Sequence, residues 1–509
     1  MKKYILIITG PLLLMLGGCK KDFLEQTNPN AVSVERGFNT ETDITNGVYG
    51  AYQALRSNNC IGEGASTWTD DRSDDVNSTD NQSNNGEPFQ FTAFSLVASN
   101  TWLQNHWTAL YVPISRANLI LSYIGTVPFA SDATRTQYIA EMKFIRALMY
   151  FNLVREFGAV PLVTEKLTSA EQADALTFRA SREEVYAQIV KDLKEVVASN
   201  LPVVQPAANK GRVSLQAANG LLGQVYLTMG ATLASPNATE YFTNAKNYLL
   251  ACYNQKGFAK LADIPYKDVF DVNMKNTNPE IIFQVAYKQG DPTYRSSIAA
   301  NNQARGETIN SLVVSTGAGG TLTNDLLKEF ETGDSRTNFS IKFASAPAVQ
   351  AYFITKFRDA SAAASNLGYG GNDCIIMRYA DIILNLSEAY MYLNDNANAV
   401  LYLNMVRERA GMPSYETMLL DPVYKSRYAT LKLAILHERR IELAFEHHRW
   451  HDLTRFFNAT ELVSYIRSKN QADYNNSPLT NCTTKDYYFP IPLNEVKLNP
   501  QKMFQNPGY

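Results

Sequence analysis

Apolar residues recur every three or four positions along most of this chain, the spacing of one face of a helix. Residues 41–57 place Ile44, Val48, Tyr52 and Leu55 on one face. Residues 103–124 do the same with Trp107, Leu110, Ile114 and Leu121, and 135–158 with Ile139, Met142, Ile145, Leu148 and Leu153. Gly158, with Pro161 close behind, is a helix stop. Ser181, followed by Glu183 and Glu184, is an N-cap with an acidic first turn. The stretch 213–230 is crowded with small residues, so a partner helix can approach closely; NAKNYLLACYN follows as that neighbour. Helices are also predicted over 378–393, 398–411 and 428–446.

Between these helices the pattern changes. NPEIIFQVAY (278–287) predicts a strand. Residues 60–100 read as a long polar loop, and such a loop in a compact body is usually functional or disordered. Residues 288–370 are rich in Gly, Ser, Asn and Ala with scattered aromatics. In the tail, Pro490, Pro492, Pro500 and Pro507 exclude a long helix. Yet Phe489, Ile491, Leu493, Val496, Met503 and Phe504 are too apolar for a solvated segment, so the tail should lie extended against the body. The helices come in pairs without a strict repeat of about 34 residues. The expectation is a mostly α fold of degenerate, tetratricopeptide-like helix pairs with long loops and a few short strands.

The N-terminus adds a location. Tyr4 to Leu16 is an apolar run behind Lys2 and Lys3, interrupted by Gly10-Pro11. It is shorter than the roughly 20 residues that span a bilayer, and so reads as a secretory signal. Leu16-Gly17-Gly18-Cys19 resembles the lipid-attachment site of bacterial lipoproteins. A thiol forms a stable thioether to a lipid, and several acyl chains anchor stably at about 0.8 kcal/mol per buried CH₂. The expected layout is a signal peptide over 1–18, a lipidated tether over 19–40, and one body over 41–509 with halves at about 41–255 and 270–509. A net charge of −2 and 19% charged residues lack the concentrated basic face that nucleic acid requires, while 45% hydrophobic residues support a large core. Cys60, Cys252, Cys374 and Cys482 are far apart with no metal-type spacing. Buried free thiols are expected, with one disulfide left open.

Several stretches together resemble the SusD/RagB family of Bacteroidetes-type outer-membrane lipoproteins. They are CKKDFLE, WTALYVPISRANLIL, AEMKFIRALMYFNLVREFGAVPLV, GRVSLQAANGLLGQVYL, NPEIIF, RYADIILNLSEAY, LNMVRERAG, ERRIELAFEHHRWHDLTR and FPIPLNEVKLNPQKMFQNPGY. Their order and spacing carry the likeness across nearly the whole chain. The resemblance implies a SusD-like fold and a lipid-anchored protein on the outer membrane, facing the exterior. It implies a SusC-like TonB-dependent transporter as partner, a nutrient ligand that is usually a glycan, no catalysis and no cofactor. RagB-like members imply the alternative of a peptide ligand; a surface hydrolase is a distant third. The chain departs from the pattern at His447, where the family usually has the glycine that ends a helix in the left-handed conformation.

Candidate chemistry is sparse. His447 and His451 stand four apart, but a helix ending at 447 removes the metal-ligand meaning of that spacing. His437-Glu438 lacks the second His of a zinc-protease motif, GAGGTL (317–322) lacks the third Gly of a dinucleotide loop, and no Walker A or Gly-x-Ser-x-Gly is present. Asp71, Ser73 and Asp75 alternate as in a calcium loop, without its sixth-position Gly or twelfth-position Glu. Arg439/Glu442, Glu446/Arg449 and Arg449/Asp452 are spaced by three and read as structural ion pairs. A glycan site needs aromatic rings beside hydrogen-bonding groups. Trp68, Asp70, Asp71 and Arg72 offer that mix, as do Asn100 with Trp102 and Tyr294 with Arg295. The expected site therefore lies in the 66–105 and 288–300 loops, although Trp68 and Trp102 are equally compatible with core packing.

Overall fold

The computed structural model describes residues 37–77, 83–302, 304, 306–307, 321–346, 349–475 and 478–509. The signal peptide, Cys19 and most of the tether lie outside the described residues.

Helices α1 (Glu41–Leu55), α2 (Thr101–Tyr123), α3 (Asp132–Phe157) and α4 (Arg182–Val197) are followed by α5 (Leu215–Thr232) and α6 (Ala238–Tyr253). After a long stretch of strands and short helices come α7 (Tyr379–Tyr392), α8 (Asn396–Arg409) and α9 (Leu431–Glu442). From α1 to α8 each helix packs on the next in order, the arrangement of tetratricopeptide-like pairs. Their starts are written in the sequence. Thr40 with Asp43 and Ser181 with Glu184 form reciprocal capping boxes, and the Ser214 hydroxyl accepts from Ala217 N–H. The small residues of α5 act as expected: a Cβ on Gly223 would fall 2.6 Å from Leu249 Cγ of α6.

The predicted strand is β2 (Ile281–Val285), which pairs antiparallel with β6 (Cys374–Arg378), the residues leading directly into α7. A four-stranded sheet of β1 (Val76–Asn77), β3 (Thr321–Leu322), β4 (Ile341–Ala344) and β5 (Ala351–Ile354) has the order β1-β3-β5-β4. It joins the 60–100 segment to the Gly-rich middle of the chain.

Three expectations need correction. The 60–100 segment is not a solvated loop; Trp68, Arg72, Asp74 and Asp75 are all buried. The helix predicted to reach 446 stops at Glu442, and Phe445 and His447 both take φ of 66° in the turn that follows. His447 thus occupies a left-handed position that favours Gly. The tail does dock, with Phe489, Ile491 and Met503 buried, but it includes a short helix at Leu493–Leu498, and Phe504 is exposed. The four described cysteines are all free and buried.

Candidate functional site

The structure scatters the side chains picked out by sequence. The Trp68 ring stacks on His106, centroids 4.1 Å apart, and its Nε1–H donates to the Cys60 carbonyl at 3.2 Å. Asp70 Oδ2 accepts from His447 N–H. Arg72, fully buried, donates to Asp486 Oδ1 at 2.9 Å and lies against the Phe94 and Trp450 rings. Asn100 is the N-cap of α2, its Oδ1 accepting from Leu103 N–H at 3.0 Å, and Trp102 is half-buried against the main core. Asp71 is only partly accessible, and burial together with neighbouring Asp70 pushes its carboxyl up to about 7. A polar segment can run through a core when its groups are hydrogen-bonded or ion-paired there, and this one largely is. Arg295 is held by Ser297 Oγ at 2.8 Å and the Gly368 carbonyl at 3.3 Å. Of the eight candidates only Tyr294 is strongly exposed, at 40%.

The charged cluster is buried too, but its pairs differ from those the spacing predicts. Arg439 binds Asp381 and Asp452. Glu442 receives Arg336, Arg378 and Arg409, and Glu446 receives Arg378 and Lys356. Arg449 binds Asp74, and Asp452 holds Arg439 and Arg455. Only Glu446/Arg449 spans the break after Glu442; the other two predicted pairs share a helix, but each of their buried charges takes partners from facing elements. Burial alone drives these carboxyls up; the surrounding cations outweigh it and hold Glu446 and Asp452 at about 2. Carboxylates so fully engaged are poor acid–base catalysts. Asp75 Oδ1 accepts from Arg440 Nε at 2.7 Å, so its carboxylate faces an arginine, not a calcium ion. His447 precedes the helix that carries His451 (Arg449–Phe456), which breaks the four-residue spacing. Among the described residues, no group of three or more His, Cys, Asp or Glu is placed to hold a metal. An interior cavity of about 80 Å³ beside Trp68, His106 and His451 has room for a few waters and none for a sugar.

A surface cleft of about 400 Å³ is a better candidate. One wall is the outward face of α1, which presents Asn46, Tyr49, Gln53 and Arg56 opposite the buried Ile44, Val48, Ala51 and Leu55. The facing side is built from Lys210, Gly211 and Arg212, the end of β2, and Tyr294. Tyr49 is 53% exposed. The Arg56 guanidinium sits 4.4 Å from the Tyr294 ring centroid and donates to the Thr293 carbonyl at 3.3 Å. The floor is rigid: Arg212 binds Glu141 through both Nη2 (2.5 Å) and Nε (3.2 Å), and Tyr52 OH donates to Glu141 Oε2 at 2.6 Å. Gly211, with φ of 89°, brings its backbone against Ala286 where a Cβ would crowd that residue. Two accessible rings, side-chain amides and a guanidinium can stack on an apolar ring face and bond to hydroxyls. The signal for this wall was present in sequence as polar and aromatic residues at 46, 49, 53 and 56 on the unread side of α1.

Comparison with known proteins agrees with this architecture. Residues 340–509 match the profile described as SusD family, and residues 22–227 match that described as starch-binding associating with outer membrane. SusD-like protein P2 of Formosa agariphila is 26% identical over the full length of both chains. SusD-like protein P38 of the same species is 27% identical, over 92% of this chain and 95% of its own. A solved structure titled laminarin binding SusD-like protein is 26% identical with a TM-score of 0.72, covering 93% of this chain and all of its own. The surface glycan-binding protein A of Bacteroides thetaiotaomicron in complex with laminarihexaose shares the fold at 19% identity, TM-score 0.71, covering 92% of this chain and 100% of its own. The chain belongs to the SusD/RagB family, whose glycan-binding members are binding proteins.

Proposed function

We propose that this protein is a surface glycan-binding lipoprotein that captures an oligosaccharide or polysaccharide in the Tyr49–Tyr294 cleft. The observation that carries this reading is the pair of accessible tyrosine rings lining one cleft beside Arg56 and a rigid floor. The laminarin-binding SusD-like protein, 26% identical to this chain, supports a glycan as ligand. The bound glycan passes to a SusC-like TonB-dependent transporter, and Cys19 carries the lipid that keeps the protein on the outer face of the outer membrane. No helix among the described residues is long and apolar enough to cross a membrane.

A glycan array followed by calorimetry tests the ligand. Tyr49→Ala and Tyr294→Ala should each weaken binding of the array hit while melting like wild type. Full affinity in both variants would move the site elsewhere, and binding of peptides without oligosaccharides would replace the glycan reading. For the anchor, Cys19→Ala should release the protein from washed outer membranes; retention would refute lipidation at this residue.

A further inference from the structure

The charge of the cleft is unbalanced. Its lining contains Arg56, Lys210 and Arg212 and no Asp or Glu. Only Arg212 is neutralised, by Glu141 beneath it. Among the described residues neither Arg56 nor Lys210 forms an ion pair: Arg56 donates to one backbone carbonyl, and Lys210 Nζ donates to the Ile281 carbonyl at 2.8 Å. Among the described residues the buried Arg56 Nε has no hydrogen-bond partner. Beside the lining residue Gly50, Arg116 donates to the Gly50 carbonyl, and among the described residues it too pairs with no carboxylate. The nearby acids are already engaged. Asp291 pairs with Lys288 and accepts N–H groups of its own turn, and Glu63 accepts from Ser296 and Ser297.

Such a cation is costly to desolvate, and an incoming anion relieves that cost. Burial lowers the pKa of Lys210, as expected of an ammonium without a counter-ion. A neutral sugar would fill the donors with hydroxyls, but a carboxylate or sulfate ester matches them with charge as well. Arg is suited to this because its fork meets two oxygens of one anion.

We propose that the cleft selects an acidic glycan, whose carboxylate or sulfate group is bound by Arg56 and Lys210 while a sugar ring stacks on Tyr294 or Tyr49. This rests on the glycan-binding reading above. Both anionic groups share the chemistry, and the test separates them.

Calorimetry on the mature protein would compare three probes of similar length: an oligogalacturonate, a carrageenan oligosaccharide and neutral laminarihexaose. At least one acidic probe should bind about tenfold or more tighter than the neutral one, the size of a charge-assisted contact. The preferred probe identifies the group as uronate or sulfate. Its affinity should fall as ionic strength rises from about 0.01 M to about 0.15 M, because screening shortens from about 30 Å to about 8 Å. Arg56→Gln and Lys210→Gln should each lose about tenfold more affinity for the acidic probe than for the neutral one, with unchanged melting curves. Arg56→Lys should retain most of the preference. If laminarihexaose binds as well as both acids, and Arg56→Gln changes nothing, the charge assignment fails while the glycan reading stands. If none of these binds and a broad array is also blank, the glycan reading itself falls and takes this inference with it.

Discussion

Arg449 binds Asp74 through two parallel bonds, Nε to Oδ1 at 2.7 Å and Nη2 to Oδ2 at 2.9 Å, across 375 residues of sequence. The contact ties the helix after α9 to the buried polar segment near the N-terminus. Tyr465 OH also reaches Asp74 Oδ2, at 3.1 Å, so the carboxylate is saturated. Arg449→Ala should destabilise the fold by about 3 kcal/mol, at the low end for a one-sided break because Arg440 and Lys469 still face Asp74. Urea unfolding would measure it. Ligand affinity of the folded variant should match wild type, since Arg449 does not line the cleft.

The same network sets the pH range of stability. Glu446 and Asp452 are held at about 2, below ordinary carboxylates. A lowered folded pKa contributes stability above the unfolded value, so these groups stabilise fully above about pH 4.5 and lose their contribution as pH falls toward 2. His437 behaves in the opposite sense. Burial disfavours its charged form, but hydrogen bonds to Glu329 and Glu331 outweigh this and raise its pKa. Its contribution is full below about pH 6.5 and fades as pH rises through the raised value. Thermal melts should therefore show an acid limb in wild type that is shallower in Glu446→Gln, and an alkaline decline that His437→Gln flattens. An unchanged acid limb in Glu446→Gln would contradict the assignment.

The helical frame was readable because its causes are local. Ile44, Val48 and Leu55 share a face, Ser181 and Glu184 close a capping box, and Gly158 ends its helix. The partners of buried charges were not readable, because they are fixed by topology. Nothing near Arg449 in sequence points to Asp74, and even Arg449 and Asp452, three apart in one helix, take other partners. The site was half legible. Tyr294 in its loop was visible as an exposed aromatic, while Trp68 and Arg72 looked the same in sequence and are core. A polar run has two physical outcomes, solvation or internal pairing, and composition alone does not choose between them.

Gly223 tests the close packing of α5 on α6. Helix propensity alone would favour Gly223→Ala by about 1 kcal/mol. The new methyl would lie 2.6 Å from Leu249 Cγ and 3.0 Å from its backbone nitrogen, so the helices must part. Overpacking of this kind costs about 1–3 kcal/mol, so the variant should melt lower than wild type. A higher melting temperature would mean that α6 yields easily at this contact.

Trp68 and Tyr294 are both aromatics flanked by polar residues, and the structure assigns them opposite roles. Trp68 is 2% exposed, stacked on His106 and edge-on to Phe91. Removing its ring leaves a large cavity and an unpaired Cys60 carbonyl, so Trp68→Ala should lose about 3–5 kcal/mol of stability. Tyr294 touches solvent, and among the described residues its ring meets only the Arg56 guanidinium as a close cationic or aromatic contact. Tyr294→Ala should leave the melting curve within about 0.5 kcal/mol of wild type, as for an ordinary surface change. Its effect belongs to binding, where a lost anchor ring costs about 1–3 kcal/mol. Tyr294→Phe keeps the ring and should keep most of the affinity, which separates stacking from a hydroxyl contact. Measuring the unfolding free energy and the dissociation constant for all three variants gives the contrast directly. A Trp68→Ala protein that stays stable but no longer binds the array ligand would return the site to the 66–105 segment.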